Sequence, residues 1–177
     1  NKYPSAGDGG TDLANGLTSR YQFYNFLKLK SPALKGLQGH IIKNIKMCIN
    51  KFNKEGKHIP TNDLWALCWF NVLRKNEKIS QHKHRGLWDA EKSFLSGHLT
   101  IQAESTSTHY LSVCENYAWC IENIPGQLII FPTYVPHYTD TTLSKSPRIS
   151  VAFDVYDKKD LGEPAFIDRG TCIPIHI

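Results

Sequence analysis

Apolar and polar positions follow one period in the first third of the chain and another in the rest. From Pro32 to Phe52 apolar residues recur every three or four positions, the spacing of one face of an amphipathic helix. Ser31 as the cap and Pro32 at the first helical position are typical of a helix start, and the helix is expected to end between Asn53 and Gly56. Its expected role is to cover one face of a sheet.

After Asp63 the pattern becomes that of short strands. Leu64–Leu73 is rich in aromatic and aliphatic residues and is followed by a polar turn. Further short segments that favour strands follow at hairpin-like spacing, at 79–84, 94–104, 108–113, 117–122, 127–131 and 148–155. Such spacing predicts a sandwich or barrel rather than a parallel sheet with crossover helices. We therefore expect a mainly β fold with the N-terminal amphipathic helix packed on one sheet.

Length and composition predict one globular domain. A chain of 177 residues with 41% hydrophobic and 21% charged residues can bury a substantial core. Residues 1–18 are rich in Gly, Ser, Asn and Asp and are expected to form a flexible N-terminal arm, so that the domain spans residues 19–177.

Charge and cysteine content narrow the classes of partner. The net charge is +5, and the lysines between Lys28 and Lys57 form only a loose cluster, so nucleic-acid binding is not indicated. No apolar run is long enough to cross a membrane. The five cysteines form no Cys-x-x-Cys pair, which favours a reducing, cytoplasmic location. A small molecule, peptide or protein remains as the expected substrate.

Three histidines form a pattern with a chemical meaning. His82 and His84 are two residues apart on an extended segment, so their side chains point to the same side. His137 follows an apolar segment that ends at Phe131-Pro132 and can complete a cluster around one metal ion. By spacing alone, a metal site and a polar turn before a strand are equally good interpretations of His82 and His84.

Arg148, eleven residues after His137, favours the metal site. On a strand, Arg148 and Ser150 share one face, whereas Ile149 and Val151 share the other. An arginine fork beside a hydroxyl suits a carboxylate, whereas in the alternative interpretation Arg148 points to solvent. The sequence therefore predicts a metal site with an anchor for an acidic co-substrate beside it.

Taken in order, several short motifs resemble one enzyme superfamily. They are Trp69-Phe70-Asn71, His82-Lys83-His84, Ser96-Gly97, the segment Gly126–Pro132, His137, and Arg148–Phe153. This series is similar to the iron(II)- and 2-oxoglutarate-dependent oxygenases, and within them to the compact group of phage and bacterial type. The resemblance extends from about Trp69 to Asp154.

The resemblance implies a fold, a reaction and a set of cofactors. The fold is a double-stranded β-helix, the cupin-like jelly roll, and the reaction couples oxidative decarboxylation of 2-oxoglutarate (2OG) to hydroxylation of a substrate that the sequence does not identify. Iron(II), 2OG and O₂ take part. The metal ligands are His82, His84 and His137, and the residues expected to bind 2OG are Arg148, Ser150 and Asn71.

The middle metal ligand departs from the superfamily pattern, which has Asp or Glu where this chain has His84. Either three histidines hold the metal, or a carboxylate such as Asp89 or Glu91 replaces His84. Two other classes stay open. One is a cupin-like three-histidine metalloenzyme that does not use 2OG, and the other is a non-catalytic jelly-roll binding module.

Overall fold

The helix forms as the apolar period predicts. In the computed structural model, which describes residues 17–18, 25, 28–56, 59, 64–84, 93–112, 117–157 and 173–175, α1 spans Pro32–Lys54. Pro32 occupies the first turn, and Lys51 and Lys54 lie in the last turn, where positive charge interacts favourably with the helix dipole. Ser31 is the N-cap residue, although its side chain makes no capping hydrogen bond.

The strands account for most of the remaining described chain. They are β1 (Leu17–Thr18), β2 (Leu64–Leu73), β3 (Ser93–Gln102), β4 (Ser107–Leu111), β5 (Ala118–Glu122), β6 (Leu128–Pro132), β7 (His137–Thr139), β8 (Arg148–Asp157) and β9 (Ile173–Ile175). The predicted segment 79–84 does not form a strand and makes only an isolated bridge between His82 and His137. The short strands β7 and β9 were not predicted.

Two antiparallel sheets build a jelly roll. The larger sheet has the order β1-β2-β8-β3-β6, with β9 also paired to β2, and the smaller sheet has the order β5-β4-β7. All of their pairings are antiparallel. The predicted fold, mainly β with one helix on a sheet, is confirmed.

The helix covers the outer face of the larger sheet. Ile41, Ile45 and Ile49 of α1 are fully buried. They share one cluster with alternate residues of β8, namely Val151, Phe153 and Val155, and with residues of β2 and β3. Because successive strand residues point to opposite faces, this packing leaves Arg148, Ser150, Ala152 and Asp154 on the inner face, toward the smaller sheet.

Gly97 allows three strands to pack closely at the centre of the larger sheet. It pairs with Ile130 of β6 and with Phe153 of β8. A Cβ atom at this position would collide with the Phe153 ring and would lie 2.6 Å from the Ile129 carbonyl oxygen. The Ser96-Gly97 motif therefore has a packing reason, because only glycine fits there.

The boundaries of the predicted domain stay a prediction. Residues 1–16 of the expected arm lie outside the described residues, whereas Leu17 and Thr18 pair with Val72 and Asn71 of β2. Among the described residues, no helix is long and apolar enough to cross a membrane.

Candidate metal centre and co-substrate pocket

Backbone pairing brings the three predicted histidines together. His137 begins β7, and its amide donates to the His82 carbonyl (2.8 Å) while the His82 amide donates to the His137 carbonyl (3.0 Å). The His84 amide donates to the carbonyl of Thr133 (3.1 Å). These bonds fix the segment 82–84 against the entry to β7, so that two neighbouring histidines and a distant one face the same space.

The three imidazoles form a compact cluster. The ring centroids are separated by 4.3 Å (His82–His137), 5.2 Å (His84–His137) and 5.3 Å (His82–His84). One nitrogen from each ring lies within 4.8 Å of the others, which is the geometry of a group able to hold one metal ion. The alternative ligands Asp89 and Glu91 lie outside the described residues.

Hydrogen bonds to backbone carbonyls fix the orientation of two of the rings. His82 Nδ1 lies 2.9 Å from the Ser80 carbonyl oxygen, and His137 Nδ1 lies 3.1 Å from that of Val135. Because a carbonyl oxygen only accepts, Nδ1 must carry the proton in both rings, and Nε2 keeps its lone pair. Fixing one ring nitrogen in this way is how proteins orient metal-binding histidines.

The surroundings of His137 keep it neutral. Burial, followed by the neighbouring imidazoles of His82 and His84, lowers the pKa of His137 well below its ordinary value, against the opposing hydrogen bond to Val135. Metals bind the unprotonated ring, so a neutral His137 suits a divalent cation. Three imidazole donors fit iron(II) and leave further coordination positions open for a co-substrate.

Arg148, the predicted anchor, is buried on the same inner surface. It is 2% exposed. Among the described residues, its guanidinium makes long contacts with neutral oxygens, each of 3.5 Å, to Ser150 Oγ, Thr108 Oγ1 and Asn123 Oδ1. Its Nε atom has no partner within the described part of the chain.

No carboxylate among the described residues forms an ion pair with Arg148. Burial lowers the pKa of Arg148 to about 10, with the nearby Tyr110 acting in the opposite direction, so the guanidinium stays charged at neutral pH. A buried charge without a counter-ion is costly, and an anionic ligand would remove that cost. The arginine therefore has the surroundings of a carboxylate-binding group.

One cavity connects the histidines with the arginine. It is lined by Trp69, Asn71, Ile79, His82, His84, Gly97, His98, Thr108, Phe131, His137, Thr139, Arg148, Ser150 and Ala152. The predicted co-substrate residues Asn71 and Ser150 both belong to this lining and are buried. The cavity volume of about 40 Å³ holds a few water molecules, so a dicarboxylic acid enters only if the lining side chains move apart.

Comparisons with known proteins agree with this geometry. The family described as "Putative 2OG-Fe(II) oxygenase" matches residues 67–154, about half of the chain, and this span contains the three histidines and Arg148. The chain belongs to the 2OG-Fe(II) oxygenases. No curated protein matches it in sequence.

A solved structure shares the fold of this 2OG-Fe(II) oxygenase. A prolyl-4-hydroxylase from Pseudomonas putida superposes with a TM-score of 0.56 at 14% identity, covering 80% of this chain and 71% of that chain. A 2OG-Fe(II) oxygenase family protein from Burkholderia pseudomallei gives a TM-score of 0.47 at 13% identity, covering 60% of this chain and 50% of that chain. At such identities the likeness concerns the fold.

The cofactor and co-substrates of the family are iron(II), 2OG and O₂. The residues of this oxygenase fit them, because three imidazole nitrogens face a cavity whose other end is a buried arginine. The bound geometry of His82, His84 and His137 as ligands, and of Arg148, Ser150 and Asn71 as 2OG contacts, stays a prediction.

Two polar residues beside Arg148 were not predicted. Thr108 of β4 donates its hydroxyl proton to Asn123 Oδ1 (2.8 Å), and both residues are buried. Alternation along β4 places Thr108 on the inner face, as it does the buried Tyr110. Asn123 follows the end of β5 and gives no sequence signal, because only the β4–β5 pairing brings it to Thr108.

His98 lies inside the jelly roll beside Tyr110 and Phe131. Its Nε2 lies 2.5 Å from the Tyr110 hydroxyl, and its ring centroid is 6.3 Å from that of Phe131. Burial, and then the charges of Arg148 and His84, lower the pKa of His98 to about 3. It is therefore a neutral wall of the cavity.

A second, apolar cleft adjoins the cavity. It has a volume of about 380 Å³ and is lined by Tyr110, Leu111, Ser112, Trp119, Ile121, Ile129, Ile130, Phe131, Pro132, Tyr134 and Val135, none of them charged. Phe131 lines both spaces, and its ring centroid lies 4.7 Å from that of His137. The cleft therefore reaches the edge of the metal centre.

Proposed function

We propose that this protein is a hydroxylase, which couples the oxidative decarboxylation of 2OG to the hydroxylation of a substrate. Substrate, O₂ and 2OG would give hydroxylated product, succinate and CO₂. The observation that carries this proposal is Arg148, a buried cation without a carboxylate partner among the described residues, in one cavity with three histidines. A site for a metal alone would not need it.

The two ends of the cavity would hold and orient the co-substrate. His82, His84 and His137 each offer one ring nitrogen for iron(II). At the other end Arg148 would pair with the far carboxylate of 2OG, and its neutral neighbours Ser150, Thr108 and Asn123 offer further polar contacts. The 2-oxo acid end then faces the histidines, and Asn71 lines the same space.

When bound, iron(II) supplies the chemistry that activates O₂ for attack on the substrate. The chain supplies orientation and a dry environment. Trp69, Phe131 and Ala152 are buried apolar walls of the cavity and keep bulk water from the reacting groups.

The apolar cleft supports an uncharged group on the substrate. A charged group would lose its hydration there without a partner, because no lining residue is charged. The aromatic and aliphatic side chains Trp119, Ile121 and Ile129 instead favour an apolar side chain or ring.

The proposal is tested by succinate release. Purified protein with Fe(II), 2OG and O₂ is incubated with a panel of small molecules and peptides that carry apolar groups, each beside a matched charged analogue. We expect succinate to form only when Fe(II) and 2OG are both present, and faster with a compound that is itself hydroxylated. Oxidation of a compound at an undiminished rate without 2OG would contradict the proposal.

A second candidate is a three-histidine metalloenzyme that uses O₂ without 2OG. The observation in its favour is His84, which stands where the superfamily has a carboxylate. In that enzyme Arg148 would have no co-substrate to bind, so Arg148→Ala would leave oxidation of the substrate unchanged.

We also propose a reducing, cytoplasmic location. Among the described cysteines, Cys48, Cys68 and Cys120 are free thiols, and Cys120 is exposed. Exposed thiols persist where the environment is reducing. Fractionation of the tagged protein tests this, and recovery from an oxidising compartment would contradict it.

A further inference from the structure

Asp154 is a buried carboxylate on the inner face of β8. It is 2% exposed and lies opposite Leu67 of β2 and Ser96 of β3 in the larger sheet. A carboxylate is rarely buried unless it is paired, because it loses its hydration. The contacts of Asp154 should therefore indicate the role of its negative charge.

Two hydroxyl groups hold the Asp154 carboxylate in place. Ser96 Oγ donates to Oδ1 (2.5 Å), and the Tyr156 hydroxyl donates to Oδ2 (3.1 Å). These neighbours are neutral and fix the position of the carboxylate, but they do not balance its charge.

A further contact of Asp154 is to a member of the histidine cluster. His84 Nδ1 lies 2.6 Å from Asp154 Oδ1, and the two side chains are 6% and 2% exposed. The approach angle is outside that of a regular hydrogen bond. Two facing lone pairs would repel each other at this separation, so Nδ1 carries a proton toward the carboxylate.

The Nδ1 proton leaves the other nitrogen of His84 to face the cluster. All three rings then share one arrangement, with Nδ1 held by the protein and Nε2 offered to a metal. In His82 and His137 the holding group is a neutral carbonyl, whereas in His84 it is an anion. A carboxylate behind a metal-binding histidine orients the ring and makes it a stronger donor.

We infer that Asp154 is a positioning residue of the metal centre, which supplies through His84 the negative charge that a carboxylate ligand supplies in two-histidine, one-carboxylate sites. This inference rests on the proposed metal site, and it does not depend on which substrate is oxidised. It gives a reason why a histidine can stand at position 84.

A matched pair elsewhere in the chain provides the control. His109 Nε2 lies 2.7 Å from Asp140 Oδ1 across β4 and the end of β7, but these side chains are 20% and 43% exposed. The same Asp→Asn change can therefore be made in two His–Asp pairs of nearly equal length, of which only one adjoins the metal cluster.

The first experiment measures anaerobic Co(II) and Fe(II) binding to the wild-type protein, Asp154→Asn and Asp140→Asn. Asp154→Asn should weaken metal binding about 10- to 100-fold, and Asp140→Asn should leave it within about twofold. Unchanged binding in Asp154→Asn would overturn the inference while leaving the proposed function intact. A wild-type protein that binds neither metal would refute both.

The second experiment separates positioning from mere support of the fold. His84→Asp places a carboxylate in the ligand position and removes the ring through which Asp154 acts. In that background Asp154→Asn should not weaken metal binding, and should strengthen it if the two carboxylates repel. An equal loss in both backgrounds would mean that Asp154 only supports β3 and β8.

The third experiment needs no variant, so it stands even if Asp154→Asn fails to fold. Proton NMR of the Co(II)-loaded wild-type protein shows shifted signals of exchangeable ring protons on metal-bound histidines. We expect three such signals, including one for His84 Nδ1–H. Only two signals would overturn the inference, because His84 would then not bind the metal with a proton on Nδ1.

Discussion

The two ends of the cavity suit ligand groups of opposite charge, and they do so in different ways. At one end three imidazoles lie with one nitrogen each within 4.8 Å, and backbone carbonyls hold His82 and His137 in the orientation a metal requires. At the other end Arg148 is a buried cation with 3.5 Å contacts to neutral oxygens. One end offers ring nitrogens to a cation, whereas the other holds a cation that has no carboxylate partner among the described residues.

The difference indicates what a ligand must do. A metal alone would satisfy the histidines and would leave Arg148 as it is, whereas a simple anion would satisfy only Arg148. A ligand that chelates the metal at one end and carries a carboxylate at the other satisfies both, and 2OG has these groups. The two ends should therefore be separable by mutation, and the predictions below test that separation.

The largest effect is expected at the metal end. His137→Ala removes one of three metal donors but keeps the backbone bridge to His82. The affinity for Fe(II) or Co(II) should therefore fall by more than about 100-fold, which exceeds the loss expected for Asp154→Asn. Anaerobic titration measures this, with His109→Ala as the control. Metal binding that survives His137→Ala would show that the cluster is not the metal site.

Arg148→Ala should have the next largest effect, on 2OG alone. Removal of one partner of a buried charge pair costs about 2–5 kcal/mol, so 2OG affinity should fall by about 30-fold or more. Metal affinity should stay within about threefold. Calorimetry with the Co(II)-loaded protein measures both constants, and Arg74→Ala, which alters an exposed arginine, is the control. Unchanged 2OG affinity would refute the anchor.

The neutral residues beside Arg148 should have a smaller effect on the same constant. Thr108→Val keeps the shape but removes the hydroxyl group, and Asn123→Ala removes the amide. Each change should weaken 2OG binding by about 10-fold, the value of one hydrogen bond to a charged group, without altering metal affinity. Equal losses of metal and 2OG affinity would mean that these residues support the fold rather than the anchor.

The last effect is gradual with pH, and it should arise from the buried histidines and not from Arg148. His98 and His137 have pKa values lowered by burial, that of His98 to about 3, so the unfolded chain binds more protons than the folded one below about pH 6.5. Above that pH the two histidines do not lower the free energy of unfolding of the metal-free protein. Below that pH they lower this free energy, by about 1.4 kcal/mol per pH unit for each histidine.

Arg148, with a pKa of about 10, stays charged over this whole range. Urea unfolding of the metal-free protein between pH 5 and pH 8 measures the dependence. His98→Gln should reduce the slope below pH 6.5 and should leave it unchanged above. A slope that is the same in wild-type protein and in this variant would contradict the assignment of His98 as a buried neutral group.

Elements with long periodic patterns could be predicted from the sequence. The helix α1 follows from seven apolar positions on one face, and β2 was predicted with its observed bounds. The two faces of β8 were predicted from alternation, because Val151 and Phe153 pack against the helix while Arg148 and Ser150 line the cavity. Short elements such as β7, with three residues, carry too few positions for a period.

The residues of the candidate site likewise fall into those that could be predicted from the sequence and those that could not. The histidines and Arg148 could be named because their types and spacing are unusual. Asn123 and Asp154 could not, because their roles depend on strand pairing between residues that are distant in sequence. His84 shows the limit most clearly, since a sequence departure there left the middle ligand open, and only packing revealed the carboxylate behind it.

The central claim, that one cavity binds a metal and 2OG together, is tested most directly by absorption spectroscopy. Fe(II) and 2OG are added to the protein without oxygen, singly and then together. We predict a visible charge-transfer band that requires both, is absent in His137→Ala, and needs a higher 2OG concentration in Arg148→Ala. Metal binding that is indifferent to 2OG, with no such band, would contradict the claim.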